Sequence, residues 1–216
     1  MADVLSRRRR RWQPARSMLA SALDYAARGW PVCRGAATAA EGARACSCDR
    51  LGCPAPGAHP VSAAWGLEAS VDPEVVNRWW RANPNANIIL PTGRVFDVFD
   101  VPSTAGASAL ATMRRNRTPV GPVAALGESR YLFFVATRGA PEDESEWWQC
   151  RLDCVPETRN DTPGLRWHCR GSYVPAPPSQ LPGGGRVSWI QGYRSGTPSV
   201  LPDPIVVLDV LADTCG

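Results

Sequence analysis

Lysine is absent from this chain, so all 24 basic side chains are arginines. That absence excludes a P-loop lysine, a Schiff-base lysine and the lysyl-adenylate nucleophile of ligases. Histidine is scarce, at two residues. With one of them inside a cysteine-rich loop, too few remain for an open catalytic zinc site. No apolar run approaches the ~20 residues of a membrane span, and the arginine-rich start has no apolar core of a signal peptide. The expectation is a cytoplasmic protein with no membrane partner.

The chain has 216 residues, enough for one large domain with a sizeable core. Arginine-only basicity with abundant Ala, Pro and Gly reads as the coding bias of a GC-rich genome, which lowers the weight of any single arginine. The net charge is +4, and Arg7, Arg8, Arg9, Arg10 and Arg11 alone contribute five, so the remainder carries about −1. Residues 1–13 are therefore expected to be a disordered basic arm and residues 14–216 a near-neutral folded body. Such an arm either holds phosphates through salt-dependent contacts or is a solvated tail.

Eight cysteines in a cytoplasmic chain argue against a disulfide framework. Cys46, Cys48, Cys53 and His59 form C-x-C-x4-C-x5-H inside an irregular Cys/Gly/Pro-rich insertion, residues 34–61. These soft or borderline ligands suit tetrahedral zinc, which would order a loop with little core of its own and leave no position for water. Cys33 could replace one member, and an accidental cluster is the plain alternative. A second set, Cys150, Cys154, His168 and Cys169, is spread over two expected elements and is weaker; buried free thiols explain it as well.

Apolar spacing predicts a helix over Pro14 to Arg28, ended by Gly29, and a first strand from Trp30-Pro31-Val32. Asp72 and Pro73 open a second helix whose Trp79 and Trp80 read as core packing before base-stacking platforms. Asn87 to Gly93 then leads into a strand over Val95 to Val101. Further expectations are a helix over Thr104 to Arg115, strands over Val120 to Leu126 and Tyr131 to Ala136, and an acidic helix over Pro141 to Gln149. Short strands over Leu165 to Cys169, Ser172 to Pro175 and Val187 to Ile190 follow, with a final helix from Asp203-Pro204 to Leu211.

Three segments carry a family resemblance: Ala22 to Val32, Asp72 to Pro102, and Arg170-Gly171-Ser172-Tyr173-Val174-Pro175-Ala176-Pro177-Pro178-Ser179. Together they resemble the N-terminal domain of bifunctional DNA primase/polymerases, the prim-pol branch of the archaeo-eukaryotic primases. The resemblance implies an α+β fold with a mixed sheet and flanking helices, here carrying the Cys-rich insertion. It also implies primer synthesis by two Mg²⁺ or Mn²⁺ ions held on paired carboxylates.

The family's strand ends in Asp-x-Asp, which presents both carboxylates on one face. This chain reads Asp100-Val101-Pro102. Asp97, at a spacing of three, projects from the other face unless a bulge brings it round. The family's phosphate-facing histidine slot falls on Tyr131, beside a surviving Arg130. The slot of the third metal-ligating Asp, just before Arg170-Gly171, falls on His168, a poor substitute at Mg²⁺. Asp100 is thus a remnant of the first carboxylate motif, or a residue that only caps a neighbouring loop. Arg130, Tyr131, His168 and Arg170 are the candidate nucleotide- or phosphate-binding residues.

The leading expectation is a degenerate binding or accessory domain for nucleotides or nucleic acid. The alternatives are an active primase/polymerase with a metal site rebuilt from Asp97, Asp100 and Glu128, and a zinc-stabilised protein-interaction module. Action in replication or on a mobile element would call on separate partner proteins.

Overall fold

The computed structural model describes residues 17–38, 46–48, 50, 52–137 and 164–215. The basic arm, the expected helix over Pro141 to Gln149, and Cys150 and Cys154 lie outside the described residues. The first helix opens at Ser17 and not at Pro14. Ser17 is extended (φ −64°, ψ 153°) and its hydroxyl accepts from the Ala20 amide, so α1 runs Met18–Ala27. Its buried stripe of Ala22, Tyr25 and Ala26 packs beside α3 (Pro73–Ala82), after a short α2 (Trp65–Glu68) that sequence periodicity missed. Asp72 caps α3 by accepting from the Glu74 amide at 2.8 Å. Trp80 is buried with its Nε1 donating to the Ala86 carbonyl. Trp79, expected in the core, is only half-buried, with the Arg34 guanidinium 5.6 Å from its ring centroid.

The α+β class is as expected, and the strands are divided over two sheets in which every pairing is antiparallel. The small sheet places β2 (Asn87–Pro91) between β1 (Cys33–Gly35) and β7 (Tyr173–Ala176). Every residue of β2 is buried, the pattern of a strand covered on both faces, which is why period-2 reasoning took it for a lead-in. Val32 makes one isolated bridge to Ser70, so the first ladder begins at Cys33 and not at Trp30.

The larger sheet contains β3 (Phe96–Pro102), β4 (Val123–Leu126), β5 (Arg130–Ala136), β6 (Arg166–His168) and β8 (Val187–Gln191), in the order β6-β3-β5-β4-β8. One face buries Phe96, Val98, Leu132 and Phe134 against the small sheet, α1 and α3. The other buries Phe99, Val101, Phe133 and Val135 against α4 (Ser103–Asn116) and α5 (Pro204–Cys215). The last helix therefore runs one turn past the expected Leu211. Trp30 stitches the first core together: its ring stacks on Phe134 at 5.6 Å and on Tyr25 at 6.0 Å. The result is a central strand, β3, held rigidly from both sides.

Candidate functional site

Asp100 lies on the face of β3 that looks toward the small sheet, and the β3–β5 register runs unbroken from Phe96↔Ala136 to Pro102↔Arg130. With no bulge, period 2 sends Asp97 to the opposite face. There its Oδ2 accepts from Trp167 Nε1 at 3.3 Å while Oδ1 has no hydrogen-bond partner. Burial pushes the Asp97 carboxyl up to about 6, against the hydrogen bonds from Trp167, Thr137 and the Gly93 amide. The two aspartates cannot share a metal.

Asp100 is 3% exposed and is already surrounded by cations. Arg130 Nε donates to its Oδ1 at 2.5 Å, and Arg130 Nη2 donates to the carbonyls of Asp100 and Gly164. On its other oxygen, Arg166 Nη1 stands at 4.0 Å and His168 Nε2 at 3.6 Å. His168 Nδ1 is 2.9 Å from Ser172 Oγ. Arg130, expected as a free phosphate ligand, is therefore engaged as the counter-ion of Asp100. The sequence reading also missed Arg166, although its spacing of two from His168 on a strand puts both on one face.

Tyr131 is not brought to the Asp100 cluster. It pairs with Val101, one residue out of phase with Asp100, and packs into the helix-side core, where a Cβ on Gly106 would come within 2.7 Å of its ring. Arg170 is exposed on the turn after β6, and that turn is clamped to the end of β2. Thr92 Oγ1 donates to the Cys169 carbonyl at 2.6 Å, and Gly93, at φ +77°, sits where a Cβ would meet the Arg170 backbone at 2.2 Å. Glu128 is exposed in the β4–β5 turn, beyond Arg130. Asp97 is five residues back along the strand from the level of Arg130, about 16 Å at strand rise.

A second centre lies at the insertion. The ligand atoms of Cys46, Cys48, Cys53 and His59 all fall within 4.8 Å of one another, with Cys46 Sγ and His59 Nε2 3.3 Å apart. Among the described residues this is the one group of three or more His, Cys, Asp or Glu side chains close enough to hold a metal ion. His59 Nδ1 is 2.8 Å from the Pro60 carbonyl, which fixes the ring with Nε2 toward the cysteines. Burial opposes ionisation of Cys46, but hydrogen bonds from the Cys48 and Gly57 amides and from His59 outweigh it and bring the thiol down to about 6. The donor set, three thiols and an imidazole, fits a metal ion that takes soft or borderline ligands.

Cys33 is not part of this group. It is buried in β1 opposite Ile89, and burial drives its thiol up to about 12. The loop is instead fastened by Asn87, a residue that nothing in the sequence singled out. Its Nδ2 donates to the carbonyls of Gly57 and Gln180, and its Oδ1 accepts from the Gln180 amide.

Mg²⁺ or Mn²⁺ is a different matter. Of the carboxylates that two-metal transfer needs, this cluster offers Asp100 alone among the described residues, and that group is bonded to Arg130 with Arg166 and His168 beside it. A hard divalent ion would have to displace a guanidinium and accept imidazole as a ligand. The described residues do not fit the ion pair.

An α+β body of two antiparallel sheets, with a carboxylate, two arginines and a histidine gathered at one face of the larger sheet, fits a primase/polymerase-like domain. The chain belongs to the Prim-Pol family, bifunctional DNA primase/polymerase, N-terminal, whose model matches residues 22–204. No curated protein matches the chain. No described helix is long and apolar enough to cross a membrane.

Proposed function

We propose that this Prim-Pol domain is a catalytically degenerate member that binds nucleic acid and nucleotides as an accessory and carries one structural zinc ion on Cys46, Cys48, Cys53 and His59. The observation that carries the reading is the state of Asp100. Arg130 supplies at 2.5 Å the positive charge that a divalent cation would otherwise bring, and Pro102 removes the second carboxylate from the same face. Arg166 Nη1 at 4.0 Å and His168 Nε2 at 3.6 Å stand near the remaining oxygen. The cluster is rich in guanidiniums and poor in metal ligands, which suits holding phosphate oxygens better than transferring a nucleotide.

A rebuilt two-metal site from Asp97, Asp100 and Glu128 has the geometry against it, because the three stand on two faces and at two levels of the sheet. Primer extension with Mg²⁺ or Mn²⁺ tests the reading, and no incorporation is expected. Incorporation that disappears in Asp100→Ala would overturn it. Metal analysis is expected to give one zinc per chain, lost when Cys46, Cys48 and Cys53 are changed together to Ser. Stoichiometric zinc in that triple variant would refute the ligand assignment.

A further inference from the structure

The far edge of the larger sheet holds a groove of about 910 Å³ between α1, the Pro177-Pro178 turn and β8. Its size is that of a ligand cleft. β8 and β3 are separated by β5 and β4, so the groove stands about 14 Å across the sheet from Asp100 at ordinary strand spacing. It is a separate place from the Asp100 cluster.

The floor is rigid and polar-saturated. The Tyr25 hydroxyl donates to the Pro177 carbonyl at 2.6 Å and accepts from Trp189 Nε1 at 3.1 Å. Asp24, the lining's one carboxylate among the described residues, accepts from Tyr193 at 2.6 Å and from the Gly196 amide at 3.1 Å, with Arg28 at 3.7 Å. The negative charge is thus answered from within. Arg186 and Arg194 are not answered: both line the groove, both are exposed, and neither guanidinium has a hydrogen bond or ion pair among the described residues. Arg130 and Arg166 are held at Asp100, Arg94 on the Gly66 carbonyl and Arg114 on Gln191, while Arg78, Arg81, Arg117 and Arg170 are exposed and likewise have no guanidinium partner among the described residues; what Arg186 and Arg194 have besides is a place in the lining of one groove.

Two unpaired guanidiniums over a concave floor whose acid is neutralised focus a positive field into the groove. We propose that this groove is a phosphate-ester site, in which Arg186 and Arg194 grip the phosphates of a nucleotide or a single strand. The proposal rests on the nucleic-acid-binding reading of the domain and names where on the folded body that binding occurs. Recognition is through phosphate and not base. Trp189 and Tyr193 stack on each other at 4.3 Å, and the Arg28 guanidinium, 4.2 Å from the Tyr193 centroid, covers the other face of that ring. Little aromatic face remains for a base to stack on.

The test titrates the full chain with a fluorescein-labelled 15-mer of thymidylate, comparing wild type with Arg186→Gln/Arg194→Gln. At low salt the double variant should bind about tenfold more weakly. Its slope of log affinity against log salt should fall by about 1.4, from ~0.7 per phosphate contact. An adenylate 15-mer should behave alike. The single variants Arg186→Gln and Arg194→Gln should each give part of the loss and cover the case of a poorly folded double variant. Displacement by thymidine triphosphate identifies a nucleotide site, and displacement by unlabelled strand alone identifies a strand path; either supports the groove. Unchanged affinity and slope in all three variants overturn the groove and leave the binding function standing. No binding by wild type at low salt overturns both.

Discussion

Asp97 is the residue whose chemistry is most at odds with its surroundings. It is 2% exposed, one carboxylate oxygen is unpartnered, and burial raises its pKa from 3.8 to about 6. Between those values the folded chain holds a proton that the unfolded chain has released. Protonation there favours folding, so this contribution is greatest below about pH 3.8, declines as pH rises to about 6 and stays low above it. Asp97→Asn should flatten that part of the profile, and urea denaturation from pH 4 to 7 reads it; an unchanged slope would place the titrating group elsewhere. Gly93 shows the opposite kind of constraint, steric and not electrostatic. Gly93→Ala puts a Cβ 2.2 Å from the Arg170 backbone at a positive φ and should cost about 2 kcal/mol or more, seen as a lowered denaturation midpoint. The sequence announced Asp100, His168 and the glycine turn by their motifs. It could not announce that Arg130 would turn to Asp100 and Tyr131 away, because one residue of strand phase decides which side chain joins Asp100 on its face of the sheet.

At the scale of elements, the buried strand β2 organises both centres. Its first residue, Asn87, bonds Gly57 in the cysteine loop and Gln180 after β7, while Ile88 donates to Ser179 Oγ at 2.9 Å. Its far end holds the Cys169 turn through Thr92. Asn87→Ala strands a buried carbonyl at Gly57 and a part-buried one at Gln180 and should cost about 2 kcal/mol, since an orphaned buried group costs ~1–3 kcal/mol. It should also weaken metal retention, measured as zinc loss to a chelator over time; retention equal to wild type would make Asn87 structural for the sheet alone. The same strand was the hardest element to read, because uniform apolarity carries no period. Where a strong cap existed, as at Asp72-Pro73, the predicted start held to the residue. Where a proline competed with a better cap, as at Pro14 against Ser17, the expected start was early.

For the whole molecule, charge is divided between a body near neutrality and the Arg7 to Arg11 arm. If the arm contributes five phosphate contacts, it adds a slope of about −3.5 in log affinity against log salt on single strands. Deleting residues 1–12 should remove that part and leave the smaller contribution of the groove. A deletion with the full wild-type slope would assign no phosphate contact to the arm. If the cysteine cluster holds the zinc proposed above, chelation should lower the temperature at which the protein denatures, and restoring zinc should return the midpoint.

By itself the sequence determined the family, the α+β class and the four side chains that gather as a candidate metal cluster. Each of these is written in local spacing, in motifs and in the chemistry of single side chains. Only the tertiary structure decided that Arg130 and Arg166 close on Asp100, that Cys33 is excluded from the metal cluster, and that Arg186 and Arg194 share one groove. Those outcomes depend on strand order and register across residues far apart in the chain. They are fixed by which faces the two sheets bury against each other, and local spacing holds no record of that.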